Sequence, residues 1–232
     1  MLENIYTTGE YLKNNPTWHS EHSPWKARQI LKIITKNKIE PHSICEVGCG
    51  VGEILNQLYL IMSDDVLFDG YEISPQAFEL SQCKKKDRLR FYLKDFIEND
   101  SSFFDVVLAI DVVEHVEDYI GFLRKLRNRG MYKVFHFPLD MSLQKLLRVK
   151  PLLRGRYDVG HLHYFTKETA LATLRDVGYE IIDCFYTGST VELPVRSCKQ
   201  FLMKLPRKLM FKISKDVTVR VFGGYDLLVL TR

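Results

Sequence analysis

The sequence predicts an α/β fold in which a doubly wound, mostly parallel sheet carries helices on both faces. Three observations support this. Short runs rich in β-branched and aromatic residues (44–47, 68–72, 89–93, 104–110) alternate with segments of helical periodicity. The first run ends in an alternating glycine loop, Gly48-Cys49-Gly50-Val51-Gly52, directly before an apolar helical pattern. The 104–110 run has the composition of a strand buried on both faces, as interior parallel strands are.

Each element has its own local reason. Ser23-Pro24 reads as a helix start, a capping Ser followed by Pro in the first turn, and Ile30, Leu31, Ile33 and Ile34 continue it. The glycine loop has the spacing G-x-G-x-G. A dinucleotide fingerprint needs its third glycine where Glu53 stands, which argues against a nicotinamide or flavin. Glycine lets a ligand lie against bare backbone at a helix N-terminus, and a tight strand-to-helix turn is the alternative. Ile54, Leu55, Leu58, Tyr59 and Met62 give the next helix its apolar face. The 68–72 strand ends in Glu72, twenty residues after Gly52, where an acid can accept hydrogen bonds from both ribose hydroxyls. Ser74-Pro75 then opens another helix. After the 89–93 strand, Asp95 can bond an adenine amino group while Phe96 packs on the ring. The 104–110 strand runs into Asp111-Val112-Val113-Glu114-His115, followed by a helix with Ile120, Leu123 and Leu126 inward. Residues 131–137 form a fifth strand closed by Pro138. Thr166 starts a helix that Gly178 ends, and 179–186 and 225–230 are the last two strands.

Length and composition fit a single domain spanning 1–232: an N-terminal cap and helix (1–40), a core (41–138) and two inserts (139–165 and 190–219). No apolar run is long enough to span a bilayer, and Met1-Leu2-Glu3-Asn4 begins no signal-peptide pattern. The five cysteines form no C-x-x-C pair, and a Cys45–Cys49 bridge would be awkward, so reduced thiols in a cytoplasm are expected. A net charge of +4 is too small to argue for DNA or RNA. The first insert carries Lys145, Arg148, Lys150, Arg154 and Arg156. The second carries Arg196, Lys199, Lys204, Arg207, Lys208, Lys212 and Lys215, interleaved with Phe201, Leu202, Leu205, Leu209 and Ile213. Three readings of the second insert are open: a solvated helix face, a wall for an anionic substrate using Arg as a bidentate donor, or a helix on a membrane surface. Pro206 is expected to interrupt it.

Taken together, Glu46-Val47-Gly48-Cys49-Gly50-Val51-Gly52, Glu72, Asp95-Phe96 and the stretch 104–115 resemble the ordered motifs of class I S-adenosylmethionine (SAM)-dependent methyltransferases. The resemblance covers roughly residues 25–190. The Asp-x-x-Glu-His stretch further resembles the small-molecule branch that includes ubiquinone-biosynthesis O-methyltransferases. The resemblance implies a Rossmann-like, seven-stranded sheet whose last strand is antiparallel. It implies SAM held by Glu46, Gly48, Gly50, Gly52, Glu72, Asp95 and Phe96, with Ala109 and Ile110 beside its methionine end. The acceptor implied is a small polar or anionic metabolite methylated on oxygen or nitrogen, a surface-polysaccharide precursor being one that suits the basic inserts.

Because the SAM methyl is already activated, such a protein mainly positions the acceptor and removes its proton. His115 is the candidate general base, its alternative being a histidine that packs beside the cofactor. Some relatives, including small-RNA 2′-O-methyltransferases, hold a metal with a Glu-x-x-Glu-His set and a later His. The corresponding set here is Asp111, Glu114, His115 and His163, with His161 the other choice for the last position. A metal-dependent RNA methyltransferase and a non-catalytic SAM-binding subunit are therefore alternatives. Upstream, Trp18, His19, His22 and Trp25 form either a lid over the site or an anchor to the core, with Tyr11 available to both.

Overall fold

In the computed structural model, which describes Tyr6 and residues 8–194 and 198–232, the strands form one seven-stranded sheet in the order β3-β2-β1-β4-β5-β7-β6. They are β1 (Ser43–Val47), β2 (Leu67–Glu72), β3 (Leu89–Leu93), β4 (Phe104–Ile110), β5 (Gly130–Pro138), β6 (Ile181–Thr187) and β7 (Asp226–Thr231). β7 pairs antiparallel with both β5 and β6, while the β1–β2, β2–β3, β1–β4 and β4–β5 ladders are parallel. The chain winds outward from β1 in one direction and from β4 in the other. The crevice at the carboxyl ends of β1 and β4 is therefore the switch point where open α/β sheets place their ligands.

Among the described residues, twelve α-helices surround the sheet. Ahead of and within the core run α1 (Glu10–Asn14), α2 (Ser23–Lys36), α3 (Glu53–Ile61), α4 (Pro75–Ser81), α5 (Phe96–Asn99) and α6 (Tyr119–Leu126). The first insert contributes α7 (Leu143–Arg148) and α8 (Lys150–Arg154), and α9 (Lys167–Asp176) follows. The second insert contributes α10 (Ser189–Glu192), α11 (Cys198–Ile213) and α12 (Lys215–Phe222). Successive β4 side chains go to opposite faces. Val107 and Ala109 join a core layer with Leu123, Leu126, Leu171 and Leu174. Val106 and Leu108 join a second layer with Ile30, Ile33, Leu55 and Leu58.

Five of the twelve described helices start on a side-chain cap. The Ser74, Asp95, Asp118, Ser142 and Thr166 side chains accept hydrogen bonds from backbone N–H groups of the following turn. Gly178, with φ +91°, closes α9. Ser23 differs: a 3₁₀ turn (Ser20–His22) leads into α2, so Ser23 is already helical and makes no side-chain cap. Pro206 also differs, because α11 runs through it without a break, forgoing only the hydrogen bond its absent N–H would make. Arg196 lies outside the described residues, as do the side chains of Lys199 and Phe201. Among the described residues no helix is long and apolar enough to cross a membrane.

Candidate active site

A cavity of about 800 Å³ opens at the switch point, within the roughly 300–1,000 Å³ usual for small-molecule pockets. Its floor is the glycine loop. Gly48 and Gly50 have φ of 67° and 54° and line the cavity. A Cβ on Gly50 would meet nothing nearer than a Trp18 ring atom at 3.7 Å, so its backbone is open to approach. Gly52, with φ +73°, is not in the cavity wall. A Cβ there would lie 2.4 Å from the Phe91 ring, so helix–strand packing by itself requires this glycine.

The acids expected to hold a nucleoside do line the cavity. Glu72 Oε2 accepts the Gly50 N–H at 2.7 Å, and Oε1 accepts those of Ile73 (2.9 Å) and Ser74 (2.8 Å). Burial raises its pKa against the opposing effect of these donors. Burial pushes the Glu46 carboxyl well up, with Lys26 opposing, and its Oε2 has no hydrogen-bond partner. Such an orphaned carboxylate oxygen suits a cationic ligand group. Asp95 caps α5 through Oδ1 while facing the cavity, and Phe96 packs on Tyr71 at 4.7 Å between centroids. Ile110 lines the wall, whereas Ala109 is fully buried in the core.

The N-terminal segment divides its tasks. Tyr6, Tyr11 and Trp18 pack as tilted rings, with Tyr6–Tyr11 centroids 4.9 Å and Tyr11–Trp18 centroids 4.5 Å apart, and all three line the cavity. Trp25 lines the cavity as well and is anchored, its Nε1 donating to Glu192 Oε2 at 2.7 Å.

The expected metal set does not come together. Asp111, strained at φ +54°, is held by Lys26 Nζ at 2.6 Å and His136 Nδ1 at 2.5 Å. Burial works to raise its pKa, but these two cations hold it well below the carboxylate range. His163 Nε2 donates to the Val116 carbonyl at 2.9 Å, and its ring packs on Tyr119. It is His161 that joins Glu114 and His115: the three offer ligand atoms within 4.8 Å of one another. The Glu114 carbonyl accepts both the Leu162 and His163 N–H groups, which fixes the loop so that His161 faces His115. Nothing in the H-x-H spacing reveals which histidine turns inward.

Hydrogen bonding assigns the tautomers. His115 Nδ1 lies 3.1 Å from the Gly160 carbonyl, which can only accept, so Nδ1 carries the proton and Nε2 keeps its lone pair. The Tyr6 hydroxyl lies 2.8 Å from the same Nδ1. Burial, reinforced by His161, lowers the His115 pKa to about 4. His161 donates through Nδ1 to Asp140 Oδ2 at 2.8 Å. Burial opposes ionisation of Asp140, yet bonds from His161 and Lys145 hold its pKa well below the usual range. Glu114 is fully buried, both of its oxygens lack partners, and burial pushes its pKa well up. Lys26, His136 and Asp140 are site residues that no sequence motif marks; the fold brings them in from α2, β5 and the first insert.

Known proteins share this fold. A family model described as a methyltransferase domain matches residues 18–183. The N-methyltransferase NodS from Bradyrhizobium japonicum, solved with S-adenosylhomocysteine (SAH), is 14% identical with a TM-score of 0.62, over 99% of this chain and 98% of its own. Magnesium protoporphyrin IX methyltransferase from Synechocystis, solved with bound SAH, is 15% identical with a TM-score of 0.58, over 94% of this chain and 85% of its own. A chain of the complex between the Haloferax volcanii Trm112 methyltransferase activator and a putative methyltransferase is 12% identical with a TM-score of 0.66, over 99% of this chain and 95% of its own. With the family model spanning most of the chain and the glycine loop, Glu72 and Asp95 meeting in one cavity, the chain belongs to the class I SAM-dependent methyltransferases.

Proposed function

We propose that the protein transfers the methyl group of SAM to an oxygen or nitrogen of a small polar or anionic metabolite, with His115 as general base. The observation that carries this is the His115 imidazole: neutral down to about pH 4, with Nδ1–H spent on Gly160 and Nε2 able to accept a proton. SAM, when bound, supplies a methyl group already activated on a sulfonium. Glu72 is the acceptor for the ribose hydroxyls, and Asp95 with Phe96 holds the adenine. Glu46, with its unpartnered oxygen, is the counter-charge for the methionine ammonium. His115 Nε2 then takes the acceptor's proton as the new bond forms. Arg156 also lines the cavity, which favours an acceptor with negative charge, a surface-polysaccharide precursor among them. The whole of 1–232 acts as one catalytic domain, working in the cytoplasm.

A second reading rests on Glu114. A buried carboxylate with two unpartnered oxygens, facing two imidazole Nε2 atoms, fits a divalent cation, and the Asp140–His161 bond is the outer support that metal-bound histidines usually have. Such an ion would hold the acceptor and lower the pKa of its hydroxyl.

The test begins with calorimetric titration of SAH, followed by a transfer assay over polar and anionic acceptors. His115→Gln should retain SAH binding and lose transfer by roughly 10²–10⁴-fold. Activity abolished by a chelator and restored by a divalent ion would install the metal reading. A folded sample that binds no SAH would overturn both.

A further inference from the structure

Helix α11 reverses the arrangement of an ordinary surface helix. Leu202, Leu205, Leu209 and Ile213 recur at spacings that place them in a stripe about 80° wide at 3.6 residues per turn. That stripe faces solvent, with Leu202 71% and Ile213 78% exposed. The inward face carries the polar group instead. Arg207 is buried and donates to Gln144 Oε1 at 3.1 Å and to the Phe222 carbonyl at 3.0 Å, while Phe211 stacks on Tyr225 at 4.3 Å. Exposed Lys208 and Lys212 flank the leucine stripe on one side.

The first insert repeats the pattern. Leu143, Leu146 and Leu147 of α7 are exposed, Leu147 at 77%, and Val149 and Leu153 follow. Helix α12 packs against both α7 and α11, and the Arg207–Gln144 bond joins α11 to α7, so the two helices adjoin. Twelve of the 21 large apolar side chains found exposed among the described residues lie in these inserts, too many for chance scatter.

The accompanying charge has one sign. The two inserts hold twelve basic and four acidic residues in a chain whose net charge is only +4, leaving the remainder net acidic. Three of the four acids are engaged: Asp140 by Lys145 and His161, Asp216 by Lys167 and Tyr186, Glu192 by Trp25. Two copies pairing through this face would set cation against cation. Leucines flanked by lysines on short helices suit a bilayer instead, the leucines entering the headgroup boundary and the lysine stems reaching anionic headgroups. No described helix can span that bilayer, so contact stays at its surface. Helix α8 continues into a π-helical turn whose Arg156 and Tyr157 line the cavity, which puts the mouth beside the same face.

We propose that the two inserts dock this protein onto the surface of an anionic lipid bilayer, with the mouth of the cavity at the headgroups. The docking does not depend on which acceptor is methylated.

Flotation of the full chain with vesicles tests it, using phosphatidylcholine alone and phosphatidylcholine mixed with phosphatidylglycerol. The wild type should float with the anionic vesicles, less so as salt rises, and not with phosphatidylcholine alone. The double substitution Leu205→Asp, Leu209→Asp should weaken partition by at least about tenfold. Lys208→Glu with Lys212→Glu should remove the preference for anionic lipid. All four positions are exposed, and the circular dichroism melt verifies folding separately from SAH titration. A folded wild type that stays unbound, or a leucine variant that floats like wild type, overturns the proposal. Self-association in lipid-free solution that the leucine substitutions abolish also overturns it, since a second copy would then cover the face.

Discussion

Gly50 and Gly52 are two residues apart and share the left-handed backbone, yet they answer to different constraints. A Cβ at Gly52 would strike the Phe91 ring, so Gly52→Ala adds overpacking to left-handed strain and should lower stability by about 2–4 kcal/mol, read from the urea midpoint. A Cβ at Gly50 would meet only a Trp18 ring atom at ordinary van der Waals distance, so Gly50→Ala should cost only about 1–2 kcal/mol of stability and act mainly on SAH affinity. Glu72 joins the two effects, since it tethers the Gly50 N–H and faces the cavity. Removing hydrogen bonds to a charged group is worth about 1.5–3 kcal/mol, so Glu72→Ala should weaken SAH binding roughly 10–100-fold by calorimetry. The acids, the glycine loop and His115 were legible because their spacing along the chain follows strand ends. Which of His161 and His163 turns inward was not legible, because that choice is made by the Glu114 carbonyl bonding two loop amides. Backbone bonds of this kind leave no residue signature.

At the scale of elements, alternation located the edge strand β3 and composition the interior strand β4 to the residue, because each pattern reflects how its strand is buried. The departures occur where tertiary contact overrides a local preference. Pro206 sits inside α11 because Arg207 and Phe211 on its inward face are held by Phe222 and Tyr225 from outside the helix. Strand β5 holds another local conflict. Lys133 is only 3% exposed, paired in register between Val107 and Thr231, with its Nζ 5.6 Å from the Tyr179 ring centroid. Burial, then the charge of Arg127, lowers its pKa to about 8 from 10.5. Below pH 8 the folded protein keeps the ammonium at full desolvation cost. Between about 8 and 10.5 the folded chain sheds the proton while the unfolded chain still holds it, so the wild type gains stability as pH rises. Lys133→Met should therefore be more stable than wild type at pH 7, by about 1 kcal/mol. The gap should narrow through pH 8–10, as denaturant titrations at several pH values would show.

Across the whole molecule, the sheet delivers several acids to one crevice and leaves them under-compensated. Burial raises the pKa values of Glu46 and Glu72, from β1 and β2, and of Asp226, from β7. Lys26 opposes the rise at Glu46, and three backbone donors oppose it at Glu72. An acid whose folded pKa is raised binds protons that the unfolded chain has already released. The ligand-free protein should thus lose stability as pH rises from 4.5 through those raised values. On the proposed assignment, an ammonium paired with Glu46 and ribose hydroxyls paired with Glu72 would favour the carboxylate forms and pull both pKa values back down. Binding should then release protons, and affinity should increase with pH across the same window. Calorimetry of SAH at one pH in buffers of differing ionisation enthalpy would register the released protons as a buffer-dependent heat. The SAM sulfonium adds a further positive charge to the same acidic crevice, so its affinity should rise with pH more steeply than that of SAH. Heat independent of buffer, with affinity flat in pH, would mean that Glu46 and Glu72 do not face the ligand. Within a folded domain that binds SAH, the electrostatic account of the crevice would then be wrong even though the family assignment stood.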